Sequence, residues 1–255
     1  MSREPLDAAQ LDAFKQDGCL IVEGVVGESQ LVDYRRQFWQ ELGTPELDGA
    51  VEGDPSTWPA NQSGGQLPNI MALTPSLGEL PAIAAIIEQL GGGRFTGGGS
   101  MTKAIFPARF PLTSGATEWQ EPGTSFHIDG YNGQWSSNPQ VGATLYIDPV
   151  EERGGCFSVK PGQHLPTHRH FFDNPHHIDG SFLDGHEDKS RAYRRLYETT
   201  EEPTARPLQF VGGAGAVMFW HGFTPHCASL NARDRPRLAM IARWSDPEKR
   251  GAHEL

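Results

Sequence analysis

Leu6, Leu11 and Phe14 recur at spacings that put them on one helical face, and Gly18 is placed to end that helix. The apolar run Cys19-Leu20-Ile21-Val22 then reads as a strand. Ser29 is a candidate cap for a second helix, in which Leu31, Tyr34, Phe38 and Leu42 recur at three and four residues. Residues 43 to 70 are rich in Gly, Pro, Asn and Ser and read as an extended loop. Pro81 suits the first turn of a third helix, with Ile83, Ile86, Ile87 and Leu90 inward and Gly91 as its stop. After the glycine-rich stretch 91 to 99 the texture changes to short β-like runs at 101–107, 141–147, 155–160, 208–211, 215–220 and 238–244. In the last of these, Leu238, Met240, Ala242 and Trp244 alternate with Ala239, Ile241 and Arg243, the period of two of a strand. The pattern predicts a single domain over 1–255, with a helical part (1–100) packed on a mainly β core (101–255). A polar, histidine-rich insert from about 164 to 206 interrupts the strands, with a short helix expected at 191–197. A connection of that length inside a domain is a lid, a binding loop or disorder, and its place directly after a core strand suits a lid over the substrate.

Composition changes this picture little. The 30 glycines and 20 prolines favour many short strands joined by turns. A net charge of −11 argues against a nucleic-acid partner, because neutralising phosphates needs a basic face. The three cysteines are scattered and odd in number, which suits a reducing compartment better than a disulfide framework. With no apolar signal stretch after Met1 and no apolar run long enough to span a bilayer, a cytoplasmic protein without a membrane partner is expected. Oligomeric state is not legible.

Chemistry enters at Phe126-His127-Ile128-Asp129-Gly130. On a strand, residues i and i+2 point to the same side, so His127 and Asp129 can converge on one ion. An imidazole and a carboxylate are two members of the facial triad that leaves three positions open on iron(II). By itself the triplet is a weak signal, since a surface turn carries it more often than a metal site does. The third ligand must come from elsewhere, and Trp220-His221-Gly222-Phe223-Thr224-Pro225-His226 offers two candidates. Downstream, Arg237 begins the alternating strand. An arginine there, facing the same cavity as the metal, suits the far carboxylate of a dicarboxylate, which its planar fork can bind with two parallel hydrogen bonds.

Taken in order, these segments resemble the phytanoyl-CoA dioxygenase (PhyH) family of iron(II)/2-oxoglutarate oxygenases across most of the chain. The opening, residues 10–22, resembles the family's helix-turn-strand, and residues 142–148, Gly154-Gly155-Cys156-Phe157 and Lys160-Pro161-Gly162-Gln163-His164 resemble its strand, turn and "PGSH" signature. The family's distal histidine, with an asparagine five and an arginine eleven residues on, is met by His226, Asn231 and Arg237. His221 lacks those partners, so the resemblance selects His226 as the third ligand. It implies a double-stranded β-helix (a jelly roll, cupin-like) with N-terminal helices packed on it. It further implies iron(II) and 2-oxoglutarate as cofactors, and O2 and a small organic molecule as reactants. The reaction is expected to hydroxylate, desaturate or cyclise that molecule while releasing succinate and CO2. Because Asp129 is present, halogenation, which needs that position for halide, is not the expected outcome.

The resemblance suggests further residues. Thr144 stands where the family often has a tryptophan on the first core strand, and its hydroxyl is a candidate for contacting the cosubstrate. Lys103 is a candidate for the cosubstrate, and Arg109, Tyr131, Asn132, Trp135 and His164 are candidates for the substrate. For His164 a structural hydrogen bond competes with that role. Cys227-Ala228-Ser229 replaces the family's common Gly-Ser-Gly, which puts one hydroxyl contact in doubt. Two other classes compete with the enzyme reading. A cupin-like metalloenzyme without 2-oxoglutarate would not need Arg237, and a non-catalytic binding protein on the same barrel would not need all three ligand types.

Overall fold

The structure is a computed structural model that describes residues 5–40, 49–61, 73–92, 101–105, 108–113, 118–122, 126–128, 141–174 and 206–244, with 101–105, 171 and 172 described by their backbone alone. Asp129, Tyr131, Asn132 and Trp135 lie outside the described residues, as do Leu42 and the helix expected at 191–197.

Helix α1 (Ala8–Asp17) begins on a capping box, in which the Asp7 carboxylate accepts from Gln10 N and the Gln10 side chain accepts from Asp7 N, both at 2.9 Å. It ends at Gly18, whose φ of 66° a side chain would resist. Helix α2 (Glu28–Gln40) starts one residue before the expected cap. The Gly27 carbonyl takes the amides of Gln30 and Leu31, so Ser29 falls inside the first turn. Helix α3 (Pro81–Leu90) runs from Pro81 to a stop at Gly91, as the pattern predicts.

All pairings between the described strands are antiparallel. The larger sheet runs β1 (Cys19–Val22), β7 (Val217–His221), β4 (Val141–Tyr146), β9 (Arg237–Trp244), β2 (Met101–Ile105), with β3 (Ala108–Arg109) also paired to β9. The smaller sheet is β6 (Leu208–Gln209), β5 (Phe157–Val159), β8 (His226–Ala228). Alternation decides which side chains go where. Leu238, Met240, Ala242 and Trp244 share one apolar cluster with Val141, Ala143 and Leu145 and with Phe14, Tyr34, Phe38, Ile83 and Ile87 of the helices. The opposite face of the large sheet supplies Tyr146, Met218, Trp220, Ala239 and Ile241 to a second cluster, which meets Phe157 and Val159 of the small sheet. Tyr146 joins the two sheets, its hydroxyl donating to Phe210 O at 2.9 Å and accepting from Phe157 N at 2.8 Å.

The insert after β5 does not begin as a polar loop. Residues His164–Asp173 form helix α4, and Gln163, His164 and Thr167 at its start are buried. This first part is packed against the core, and a staple to α1 holds it there. Gly162 N donates to Asp17 O at 2.8 Å, His164 Nε2 donates to Lys15 O at 3.1 Å, and Thr224 Oγ1 donates to Gly18 O at 2.8 Å. Those bonds satisfy carbonyls at the end of α1 that the helix itself leaves without partners. Residues 175–205 of the insert lie outside the described residues.

Candidate metal and cosubstrate site

The two described histidines of the expected triad meet between strands. His127 N donates to His226 O at 3.0 Å and His226 N to His127 O at 2.9 Å, an antiparallel bridge that brings the ring centroids to 4.5 Å. His226 Nδ1 lies 3.0 Å from Thr224 O. A carbonyl oxygen only accepts, so Nδ1 carries the proton and Nε2 is left as the nitrogen with a lone pair, the tautomer a metal ligand requires. His221 is turned elsewhere. Its Nδ1 accepts from Phe223 N at 3.1 Å, and its ring lies 5.3 Å from that of His164. Burial, then the neighbouring His164 and His168, pull the His221 imidazole down to about 3. His164 is held below its ordinary value by burial as well. His164 thus ties α1 to the core.

Arg237 is the most unusual group in the interior. It is 2% exposed, and none of its three guanidinium nitrogens has a hydrogen-bond partner among the described residues. Leaving a charge buried without hydrogen bonds costs several kcal/mol, so the fold tolerates it where an anion belongs. Arg109 stands directly across the β3–β9 ladder from it, also buried. Its guanidinium is pulled down to about 9, first by burial and then by the charge of Arg237. This position groups Arg109 with the candidate cosubstrate residues, whereas the sequence alone suggested the substrate. Asn231 holds the loop that aims both, donating to Arg109 O and Arg235 O at 2.9 Å each while accepting from Arg233 N at 3.0 Å.

Thr144 lies on the inner face of β4 and accepts a hydrogen bond from Trp220 Nε1 at 3.3 Å. Its partner across the ladder, Ile241, is four residues from Arg237, roughly 13 Å along the strand. A long arginine side chain and a five-carbon dicarboxylate together cover that span. The donor set therefore fits iron and 2-oxoglutarate. Lys103 lies on β2 at the edge of the same sheet, and its side chain is outside the described residues.

Three further residues of the site have no counterpart among the sequence candidates. Trp220 is fully buried, with its ring 4.4 Å from that of His226. Lys160 is buried with Nζ 4.7 Å from the Phe126 ring, next to His127. Arg243 places its guanidinium 5.7 Å from the Trp220 ring. Strand parity could have found Arg243, since it falls on the same face as Arg237.

Comparison with known proteins agrees with this geometry. Residues 109–239, just over half of the chain, match the phytanoyl-CoA dioxygenase (PhyH) family. The epimerase SnoN from nogalamycin biosynthesis, solved with Fe3+, alpha ketoglutarate and nogalamycin RO, superposes with a TM-score of 0.61 at 20% identity, covering 93% of this chain and 82% of its own. EvdO2 from Micromonospora carbonacea var. aurantiaca, solved with 2-oxoglutarate, gives a TM-score of 0.50 at 18% identity, covering 94% of this chain and 91% of its own. The carbocyclase SnoK, also from nogalamycin biosynthesis, gives a TM-score of 0.50 at 16% identity, covering 94% of this chain and 84% of its own. These likenesses speak for the fold, and no curated protein sequence matches. On the extent of the family match, the chain belongs to the phytanoyl-CoA dioxygenase (PhyH) family of iron(II)- and 2-oxoglutarate-dependent oxygenases.

Proposed function

We propose that His127, Asp129 and His226 hold iron(II), that Arg237 and Arg109 together bind the far carboxylate of 2-oxoglutarate, and that the enzyme oxidises a C–H bond of a small organic molecule. The observation that carries this reading is the buried Arg237 guanidinium, without hydrogen-bond partners among the described residues. A cupin-like enzyme without 2-oxoglutarate has no use for it. The two sheets are read as the halves of a jelly roll. Because α1, α2 and α3 share one apolar cluster with the larger sheet, 1–255 is read as one domain.

When held by these residues, iron(II) and 2-oxoglutarate would supply the activation of O2, which would oxidise 2-oxoglutarate to succinate and CO2 and the substrate by two electrons each. The chain's own residues supply position. The Thr224 carbonyl keeps His226 Nδ1 protonated. Trp220 and Phe157 pack on the His226 ring, at 4.4 and 5.4 Å, and keep water from its faces. Arg237 and Arg109 are like charges side by side, and an anion between them relieves that repulsion. A hydroxylation, or a ring closure or epimerisation of the kind named for SnoK and SnoN, is compatible with the same site.

The test is anaerobic titration with iron(II) and 2-oxoglutarate. Losing one partner of a buried charge pair costs roughly 2–5 kcal/mol, so Arg237→Ala should weaken 2-oxoglutarate binding by about thirtyfold or more. His226→Ala should abolish iron binding and His221→Ala should spare it. An unchanged 2-oxoglutarate affinity in Arg237→Ala would overturn the cosubstrate assignment.

A further inference from the structure

We propose that the Thr224 hydroxyl is a positioning group for the iron ligand His226, and that through it the end of α1 sets how tightly the site holds iron; the proposal rests on the assignment of His226 to iron above. Thr224 is fully buried and meets the ligand through its backbone, its carbonyl oxygen lying 3.0 Å from His226 Nδ1. That carbonyl can orient the imidazole only if it is itself held. Pro225 follows it, which confines Thr224 to extended backbone. The proline limits the local dihedrals but not the swing of the whole turn, so a second hold has to come from outside the strand.

That hold is Gly18, the residue that ends α1. A backbone carbonyl oxygen has two lone pairs, and this one accepts from His221 N and from Thr224 Oγ1, each at 2.8 Å. His221 and Thr224 are the two ends of one turn, closed by Thr224 N donating to His221 O at 2.9 Å. One carbonyl at the end of α1 thus pins both ends of the turn that leads into the ligand. The glycine itself makes the approach possible, since a Cβ on Gly18 would meet Thr224 Oγ1 at 2.6 Å. Threonine suits the position because branching at Cβ leaves its side chain few rotamers, so the bond from Oγ1 fixes the backbone as well. His226 is then held twice, its amide donating to His127 O at 2.9 Å and its Nδ1 to Thr224 O. Removing a partner that orients a metal ligand changes metal affinity by about 10- to 100-fold.

The test is anaerobic iron(II) titration of the full chain. Thr224→Val, which keeps the shape and removes the hydroxyl, should weaken iron(II) binding by about tenfold or more. Thr224→Ala is expected to match it, and Thr224→Ser, which differs from Thr224→Ala by the oxygen alone, to restore most of the affinity. Tyr34→Phe removes a buried hydroxyl of the same kind, which donates to Pro75 O at 2.6 Å among the helices. It should cost stability and leave iron affinity at the parent value, an outcome that separates positioning from general loosening of the fold. In NMR spectra of the metal-free protein, the His226 Nδ1 proton should exchange with water faster in Thr224→Val than in the parent or in Thr224→Ser. Unchanged iron affinity in Thr224→Val, a loss that Thr224→Ser does not rescue, an equal loss in Tyr34→Phe, or an unchanged rate of proton exchange overturns the proposal. Failure of the metal assignment reads differently: the parent protein itself would then bind no iron(II), and the proposal falls with it.

Discussion

Gly142 matters for what its neighbour does with the space. Trp220 lies against it, donates to Thr144 at 3.3 Å and packs 4.4 Å from the His226 ring. Gly142→Ala would put a methyl group 2.2 Å from the indole carbons, and the ring has no slack to absorb it, being 0% exposed. Overpacking of this kind costs about 1–3 kcal/mol. Urea denaturation of Gly142→Ala should show that loss, together with a changed tryptophan emission as the indole leaves His226. Stability within about 0.5 kcal/mol of the parent would mean that the indole packs more loosely against Gly142 than it looks. The His127-x-Asp129 spacing and the offsets from His226 to Asn231 and Arg237 are legible residue by residue. The indole over Gly142 is not, because a glycine in a strand does not name the side chain that needs its space.

The decisive element is β9. Its alternation is legible in the sequence, with Leu238, Met240, Ala242 and Trp244 on one side and Arg237, Ala239, Ile241 and Arg243 on the other. The apolar set turns toward the helices and the second set toward the inner side. What faces that inner side depends on the second sheet, which Tyr146 holds in place. Tyr146→Phe keeps the ring that stacks 4.0 Å from Phe210 but leaves Phe157 N and Phe210 O each without the hydroxyl. A buried polar group left unsatisfied costs about 1–3 kcal/mol. Chemical denaturation of Tyr146→Phe should therefore show a loss of at least the lower figure, and a neutral result would mean that the sheets do not depend on this bridge. The starts of α2 and α4 depart from the sequence pattern for a shared reason. Each is set by backbone partners, the Gly27 carbonyl for α2 and the end of α1 for the Gly162–His164 turn, and periodicity carries no information about them.

For the whole molecule, the buried histidines set a pH dependence. His164 and His221 are both held below the ordinary value of 6.5 by burial, His221 to about 3. The unfolded chain then binds protons more readily than the fold. The stability from His221 is fully present above about 6.5 and is lost as pH falls through the window toward about 3, by up to about 1.4 kcal/mol per pH unit, and His164 adds to it in the same direction. The urea midpoint of metal-free protein should fall between pH 7 and pH 5, where carboxylates hardly titrate, and His221→Asn should flatten that slope. A flat profile in the parent would mean that these imidazoles titrate in the fold as they do in water. Sequence by itself determined the local matters: three helices, the stops of the first and third, the alternation of β9, the motif offsets that resemble the family's, and hence the family. Those are properties of near neighbours along the chain, where a period of two or four assigns a face. Only the tertiary structure decided which faces meet. It set Arg109 against Arg237, the Trp220 ring against His226, and His164 against the end of α1. Each of these contacts joins segments that are separate along the chain, through strand pairings whose register no single segment encodes.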